Sequence, residues 1–485
     1  MNKQQIFDYI ESKKDCIIHV NDRIWEYAET AFVEYRSVDL LCSVLEEEGF
    51  EVQKGIAKLP TAFSARFGCG KPVIGLLAEY DALDGLNQKG GLAVKEPTSE
   101  EDAGKPGHGC GHNCLGAGVV AAALGIKAYL ESDPAHSGTV IVYGCPGEEG
   151  GSGKAFMARE GVFDECDVAL TWHPGPSFAV TNGSSLANYQ VHYKFYGIAA
   201  HAGSQPQNGR SALDAVELMN TGTQYLREHM IEKARIHYAI TNTGGFSPNV
   251  VQSRADVLYL IRAPKSDYLA ELYERVNNVA RGACLMTDTR VEIDFVKACS
   301  EKIRNDVLAK LIYQNMEQLP LPTYTQEEQE FAAALREQCR KSKTPLQMAV
   351  DTCGEALRPQ LEELFAEDTA LSEFLLPYYA NDIPVGGSTD VGDVSWVCPT
   401  GSMRGMTTVA GTPGHSWQFV ACNNTSIAHK GTLYSGKVLA ATAYDLLNDP
   451  ALIEAAKAEH TRRVAPEGYK CPIPADVMPR AISDL

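Results

Sequence analysis

One stretch organises the rest of the chain: Gly107-His108-Gly109-Cys110-Gly111-His112-Asn113. It sets the thiol of Cys110 two residues from the imidazole of His112, among glycines that let the backbone approach an ion closely. The apolar, alanine-rich run at 115–130 that follows is typical of a helix. Both side chains suit zinc and are usable by manganese or cobalt. Taken alone, the pair is equally compatible with a buried thiol beside a surface histidine. A thiol nucleophile is a further alternative, but residues two apart at a helix start rarely place the sulfur in line with the imidazole.

Composition excludes several classes of protein. The 485 residues predict about two to four domains at roughly 150 residues each. A formal charge of −19 argues against nucleic acid and against an anionic membrane surface as partners. The 14 cysteines contain no Cys-x-x-Cys pair, the polar start lacks an apolar signal core, and no apolar run is long enough to span a membrane. We therefore expect a cytoplasmic protein that binds no membrane.

Short apolar runs at 72–80, 139–145 and 167–172 predict buried strands. Polar side chains follow two of them directly, Glu148-Glu149 after the second run and His173 after the third. In open α/β sheets, ligands bind at the carboxyl ends of strands. The pattern therefore predicts an α/β domain with a site at that edge of the sheet.

The character of the sequence changes near residue 187. From there to residue 299 the pattern reads strand, helix, strand, strand, helix, strand, which is the βαββαβ order of a ferredoxin-like domain. We interpret 187–299 as a second domain inserted into the first. The first domain is then 1–186 plus 300–485.

The adjacent carboxylates of Glu148 and Glu149 are the next candidates for a site. A solvated acidic turn is the simpler interpretation. Successive residues of an extended segment point to opposite sides, however, so one carboxylate can ligate a metal while the other reaches a bound water. Taken alone, His173 and His415 are each more simply interpreted as structural residues. Together with Cys110, His112 and one of the glutamates they would give a set of five metal ligands. Five ligands are too many for one catalytic zinc and predict two ions about 3.5–4 Å apart.

Motifs along nearly the whole chain resemble the M20 family of metallopeptidases and amidohydrolases. They are Cys110-Gly111-His112-Asn113, Glu148-Glu149-Gly150-Gly151, His173-Pro174, Ala200-His201-Ala202-Gly203 and Gly386-Gly387-Ser388-Thr389-Asp390. The cysteine-containing version resembles subfamily D, and Gly414-His415-Ser416-Trp417-Gln418 is similar to its p-aminobenzoyl-glutamate hydrolase B-subunit group. The family fold is a catalytic α/β domain with a mixed central sheet, interrupted by a lid that also forms the dimer contact.

The resemblance also implies the roles of individual residues. The implied ligands of two divalent ions, zinc or manganese, are Cys110, His112, Glu149, His173 and His415. The implied general base is Glu148, and His201 is implied to stabilise the oxyanion, in relatives at the site of the partnering protomer. Asn249 and Arg262 match positions that hold the substrate carboxylate, although an arginine ending a strand is equally an edge cation. Many members carry His-x-Asp where this chain has Glu79-Tyr80-Asp81. Asp81 is therefore expected to contact a metal ligand and not the metal itself.

The implied function is hydrolysis of the amide of an N-acyl or N-aroyl amino acid. The first substrate to expect is p-aminobenzoyl-glutamate, cleaved to p-aminobenzoate and glutamate in folate catabolism. A dipeptidase or another N-acyl-amino-acid deacylase is the nearest alternative. A metal-binding partner subunit without turnover is the alternative of another class, and the retained Glu148 argues against it. The resemblance further implies a homodimer, or a heterodimer with a homologous subunit.

Overall fold

The computed structural model describes residues 1–339, 344–367, 369–382, 384, 387–464 and 468–481. Gly386 of the last family motif and parts of the predicted range 300–485 lie outside these residues. The strands are β1 (Glu51–Lys54), β2 (Phe63–Cys69), β3 (Val73–Ala78), β4 (Gly138–Gly144), β5 (Val168–Gly175), β6 (Ala179–Val180), β7 (Ala187–Tyr196), β8 (Arg235–Asn242), β9 (Arg254–Ala263), β10 (Arg290–Cys299) and β11 (Thr400–Met406).

The α-helices alternate with these strands in the first half of the chain and dominate the second. They are α1 (Lys3–Ser12), α2 (Lys14–Tyr27), α3 (Tyr35–Glu47), α4 (His112–Glu131), α5 (Gly153–Arg159), α6 (Ala212–Leu226), α7 (Ser266–Thr287), α8 (Asp306–Gln318), α9 (Gln326–Glu337), α10 (Pro345–Cys353), α11 (Arg358–Leu364), α12 (Val391–Val397), α13 (Trp417–Cys422), α14 (Ser426–Asn448) and α15 (Pro450–Val464).

The chain divides into two compact units. Unit 1 comprises Met1–Ser184, Ile303–Val385 and Val394–Tyr469 in their described parts. Unit 2 comprises Ser185–Lys302 with the described parts of 386–393 and 470–485.

A seven-stranded mixed sheet forms the centre of unit 1, in the order β1-β2-β4-β3-β5-β11-β6. The four inner strands β4, β3, β5 and β11 run parallel, whereas β1, β2 and β6 pair antiparallel. Every residue of β3 and β4 is buried, which explains their continuous apolar sequence. The sheet confirms the predicted α/β fold with a mixed centre.

Helix α4 is the core helix of unit 1. It is buried along almost its whole length, and its small residues allow close packing: a Cβ on Gly118 would lie 2.6 Å from the Trp172 indole nitrogen. Among the described helices it alone is long and apolar enough to cross a membrane, yet 94% of its most apolar window is buried inside the protein. That burial is what a core helix requires.

Unit 2 contains a four-stranded antiparallel sheet in the order β10-β7-β9-β8. Helices α6 and α7 connect its strands, so the chain order is β7-α6-β8-β9-α7-β10. This is the predicted βαββαβ topology.

Some local predictions were wrong. His173 lies within β5 rather than after it. The short strand β11 was missed because its sequence, TGSMRGM, mixes glycines with an arginine and shows no strand periodicity.

Candidate active site

The candidate residues of unit 1 gather at the carboxyl ends of its parallel strands. Glu79 and Asp81 follow β3, Glu148 and Glu149 follow β4, and His173 lies near the end of β5. The loop after β11 carries His415, whose backbone N–H donates to the Gly109 carbonyl at 3.0 Å. The strand-end rule therefore holds for this sheet.

Glycines bring the Cys110–His112 loop close to its neighbours. Gly111, with φ +79°, immediately precedes α4, and a Cβ there would lie 2.8 Å from the Cβ of Pro174. A Cβ on Gly109 would lie 2.4 Å from a methyl carbon of Leu86. A side chain at position 111 would push the loop away from β5, and one at position 109 would push it away from Leu86, so the two glycines fix the position of the thiol.

His112 is fully buried between two carboxylates. Its Nδ1 lies 2.8 Å from Asp81 Oδ1, and its Nε2 lies 3.3 Å from Glu79 Oε2. Burial alone would lower the pKa of His112, but the charges of Cys110 and Asp81 outweigh it and raise that pKa well above its usual value. An Nδ1–H donated to Asp81 directs Nε2 at the cluster, where its lone pair becomes available to a metal ion once the ring loses its second proton, the arrangement typical of a metal-binding histidine.

His173 presents the same nitrogen to the cluster. Its Nδ1 lies 2.7 Å from the Pro174 carbonyl oxygen, and its Nε2 lies 3.4 Å from Cys110 Sγ. Burial, aided by the charge of His112, lowers the pKa of His173 to about 4. Burial and the charge of Glu149 raise the pKa of the Cys110 thiol well above its usual value. A cation that takes up the thiolate must therefore displace a proton from Cys110.

Glu149 and His415 form the outer side of the cluster. Glu149 Oε2 lies 3.3 Å from His415 Nε2, and its backbone N–H donates to Asp81 Oδ2 at 2.9 Å. Burial opposes ionisation of Glu149, but His415 and His112 outweigh it and lower the pKa to about 2. His415 has φ +53°, a left-handed conformation that is uncommon outside glycine and that clusters at functional sites.

The adjacent glutamates separate in a way that the sequence did not predict. Glu148 and Glu149 lie in a turn after β4, not in an extended segment. Glu148 falls in a group with Glu79 and His112, whereas Glu149 falls in a group with Cys110 and His415. The two carboxylates therefore serve different parts of one cluster.

The donor set fits divalent cations. Three groups have ligand atoms within 4.8 Å of one another: Cys110, His112 and His173; Cys110, Glu149 and His415; Glu79, His112 and Glu148. Three buried polar atoms of the cluster have no hydrogen-bond partner among the described residues: Glu79 Oε2, His112 Nε2 and Glu149 Oε1. Buried polar atoms are costly unless they are paired or coordinate a metal. A mixed sulfur, nitrogen and oxygen donor set suits zinc and related ions.

Sequence reasoning missed two residues of this site. Glu79 is 2% exposed and Lys154 is fully buried, and Lys154 Nζ lies 2.6 Å from Glu79 Oε1. Burial raises the pKa of Glu79, but Lys154 and then His112 and His173 outweigh it and hold the pKa below its usual value. The signal for Glu79 was present in the sequence, because an acid stands there where many family members have a histidine. No local sequence pattern indicated Lys154.

The three remaining candidates belong to unit 2 and are not part of this cluster. His201 is exposed, and its Nδ1 accepts from the backbone N–H of Gly203 and Ser204 at 3.1 Å each. Asn249 lies on the neighbouring segment, where its carbonyl accepts from the N–H of Ala202 at 2.9 Å. Arg262 lies in β9 and donates to Ser388 Oγ at 3.2 Å. Within unit 2 the structure brings His201 and Asn249 onto adjacent segments.

Comparison with known proteins decides the family. Residues 75–356 match peptidase family M20/M25/M40. The chain belongs to this family. It is therefore a hydrolase of amide bonds, and the cluster in unit 1 is its candidate active site.

Relatives of this M20 protein are similar over nearly their full length. The chain is 48% identical to the B subunit of p-aminobenzoyl-glutamate hydrolase from Escherichia coli K12, over 98% of each chain. It is 30% identical to the Xaa-Arg dipeptidase of Mus musculus, over 94% of this chain and 91% of the relative. A dinuclear metal-binding M20 peptidase from Bacillus subtilis shares the fold with a TM-score of 0.53 at 15% identity, over 90% of this chain and 99% of the other.

Proposed function

We propose that this M20 hydrolase cleaves p-aminobenzoyl-glutamate to p-aminobenzoate and glutamate. The similarity to the B subunit of the Escherichia coli p-aminobenzoyl-glutamate hydrolase, over 98% of both chains, carries this proposal. The buried cluster supports it, because an amide hydrolase needs a polarising centre beside a base.

The proposed ligands of two divalent ions are Cys110, His112, Glu149, His173 and His415, with zinc or manganese as the metal. Two bound ions would supply an activated water and polarise the amide carbonyl. Asp81 orients His112 through the hydrogen bond at Nδ1 and also holds the backbone of Glu149.

Glu148 is the proposed general base. Its position beside Glu79 and His112 supports this role, because a carboxylate at the edge of a ligand cluster can take a proton from a water there. The same carboxyl group then returns the proton to the leaving amine. His201 is proposed to stabilise the oxyanion, and Asn249 and Arg262 to hold the substrate carboxylate, the arginine through a bidentate pair.

Turnover of p-aminobenzoyl-glutamate by the purified protein tests the proposal, with and without added zinc or manganese. We expect hydrolysis that depends on metal. Glu148→Gln should abolish turnover while metal content, measured by elemental analysis, persists. Glu101→Gln, at an exposed glutamate of the loop before Cys110, is the matched control and should keep full activity.

Two alternatives have distinct outcomes in the same assay. Preference for a dipeptide would favour a dipeptidase, which the 30% identity to the Xaa-Arg dipeptidase makes the second candidate. Bound metal without turnover of either substrate would favour a metal-binding subunit that requires a catalytic partner. Turnover by Glu148→Gln would disprove the assignment of the base.

We also propose that unit 2 forms a subunit contact. It exposes large apolar side chains, of which Phe246, Leu285, Tyr225 and Met286 are 105%, 86%, 74% and 67% exposed. Exposed apolar side chains of this size are typical of contact surfaces when they are contiguous. The partner is a second copy or a homologous chain, since the Escherichia coli relative is itself one of the subunits of its hydrolase. The mass of the purified protein in solution distinguishes a homodimer from a monomer that requires the other chain.

The cytoplasm remains the predicted location. None of the 14 cysteines, all of which lie in the described residues, forms a disulfide bond, which fits a reducing compartment.

A further inference from the structure

A cavity of about 320 Å³ opens beside the ends of β5 and β11 in unit 1. Its walls include the apolar side chains Met348, Ala349, Phe365 and Leu376. A cleft of this size with apolar walls and a few polar groups is typical of a site for a small organic ligand. None of the proposed metal ligands or substrate-binding residues lines it.

Arg404 is the one basic side chain that lines this cavity among the described residues. It is half-buried in β11, and its guanidinium has no hydrogen bond or ion pair with any residue that the structure describes. A guanidinium that is partly withdrawn from water without a partner loses hydration and gains nothing in return. An anion bound in the cavity would compensate the guanidinium of Arg404 for this lost hydration.

Arg404 lies on the strand next to the one that carries His173, a proposed metal ligand. Arg404 is in register with His173 on the adjacent parallel strand, so both side chains leave the same face of the sheet. The stem of Arg404 crosses Gly175, where a Cβ would lie 2.6 Å from Arg404 Cδ. Glycine at position 175 therefore gives the arginine room to lie beside the strand that carries a proposed ligand.

The other polar groups of the cavity leave the guanidinium available. Ser177, Thr352 and Ser372 contribute neutral hydroxyl groups to the lining. Asp351, the acid in the lining, is exposed and accepts from Gln347 Nε2 at 2.9 Å. A carboxylate is the anion that a guanidinium recognises best in a small organic ligand, because two parallel N–H···O bonds form at once.

We infer that the Arg404 cavity binds the side-chain carboxylate of the amino-acid half of the substrate. This inference rests on the proposed function. The p-aminobenzoyl half carries no anion, and the α-carboxylate is already assigned to unit 2, so the side-chain carboxylate of glutamate is the remaining anionic group. Arg404 is then the residue that makes the enzyme prefer an acidic amino acid.

The test compares p-aminobenzoyl-glutamate with p-aminobenzoyl-glutamine, which has the same acyl group and size but no side-chain charge. We expect wild type to favour the glutamate substrate by roughly 10- to 100-fold in kcat/KM, as for a lost charged hydrogen bond. Arg404→Met, which keeps the aliphatic stem, should lower kcat/KM for the glutamate substrate by about that factor, mainly through KM. Its kcat/KM for the glutamine substrate should stay within about twofold of wild type.

The ratio of the two kcat/KM values within one preparation does not depend on the fraction of folded enzyme. Arg404→Lys keeps a point charge and should retain part of the preference. Arg66→Met, which removes a partly exposed arginine of β2 that pairs with Glu165, is the control and should keep the wild-type ratio.

The outcomes separate this inference from the function on which it rests. Equal losses on both substrates would mean that Arg404 acts through β5 and His173 and would overturn the inference alone. An unchanged ratio in Arg404→Met would also overturn it. Absence of turnover of either substrate by metal-loaded wild type would overturn the proposed function and this inference with it.

Discussion

Lys154→Met tests the charge balance of the active site. Lys154 is fully buried and its ammonium lies 2.6 Å from Glu79, which is itself 2% exposed and 3.3 Å from His112 Nε2. Methionine has nearly the same length and fills the same space, so the substitution removes the charge and creates little cavity. The carboxylate of Glu79 would then be left in the interior without its cation.

Removing one partner of a buried ion pair costs about 3–5 kcal/mol, because the other charge stays buried without compensation. We expect the free energy of unfolding of metal-free unit 1 to fall by about that amount at pH 7. The double variant Lys154→Met/Glu79→Gln should recover most of the loss, since neither charge remains. A double-mutant cycle then isolates the pair from the packing of the lysine stem.

Tryptophan fluorescence during urea unfolding in the presence of a chelator measures this change. All four tryptophans, at positions 25, 172, 396 and 417, belong to unit 1, so the signal reports on that unit. A loss below about 1 kcal/mol in the single variant would refute the reasoning. So would a double variant that is less stable than the single one, because the charge of Glu79 would then not be what destabilises it.

Two further variants test the support of His112 and the charge network of unit 2. In Asp81→Asn, the single amide oxygen can replace only one of the two carboxylate oxygens that now accept from the His112 ring and from the Glu149 N–H. Metal affinity, measured by competition with a chelator, should therefore fall by roughly 10- to 100-fold. Unchanged affinity would count against the role of Asp81. Burial raises the pKa of Asp294, but Arg480 and Lys194 outweigh it and lower that pKa. A lowered folded pKa stabilises the protein above the unfolded pKa, about 3.9, and this stabilisation is lost as pH falls through the folded value. Arg480→Gln should therefore destabilise unit 2 by about 1 kcal/mol at pH 7 and by much less below pH ~4. Faster hydrogen exchange in β10, compared with wild type at the same pH, measures the loss. An equal effect at both pH values would contradict this prediction.

The sequence predicted those parts of the fold that have a local signature. The apolar run at 139–145 became β4 at Gly138–Gly144, and the helix predicted at 115–130 became α4 at His112–Glu131. The inserted βαββαβ pattern was legible because its strands alternate and its helices are amphipathic. Strand β11 was missed because its sequence does not alternate between apolar and polar residues. The sheet buries it on both faces, and it carries glycines where a buried strand usually has apolar side chains.

The site was predictable where a chemical residue type coincided with a strand end. His173 satisfied that condition, whereas Cys110 and His112 were found from their spacing in the glycine-rich loop before α4, and the donor atoms of the three lie within 4.8 Å of one another. Arg404 was not predictable, because its importance depends on the register of β11 with β5, which no local pattern encodes. Lys154 lies at the start of the short helix α5, and no motif in the sequence distinguishes it from other lysines.

The pairing of Glu79 with Lys154 explains how this chain tolerates an acid where many family members carry a histidine ligand. A carboxylate at position 79 adds a negative charge to a buried cluster that already contains Asp81, Glu148 and Glu149. An isolated charge there would be unfavourable, but the ammonium of Lys154 at 2.6 Å offsets it. The negative charge left for divalent ions would then be that of the proposed ligands Cys110 and Glu149. A histidine at position 79 would consequently leave Lys154 as an uncompensated cation beside the candidate metal site.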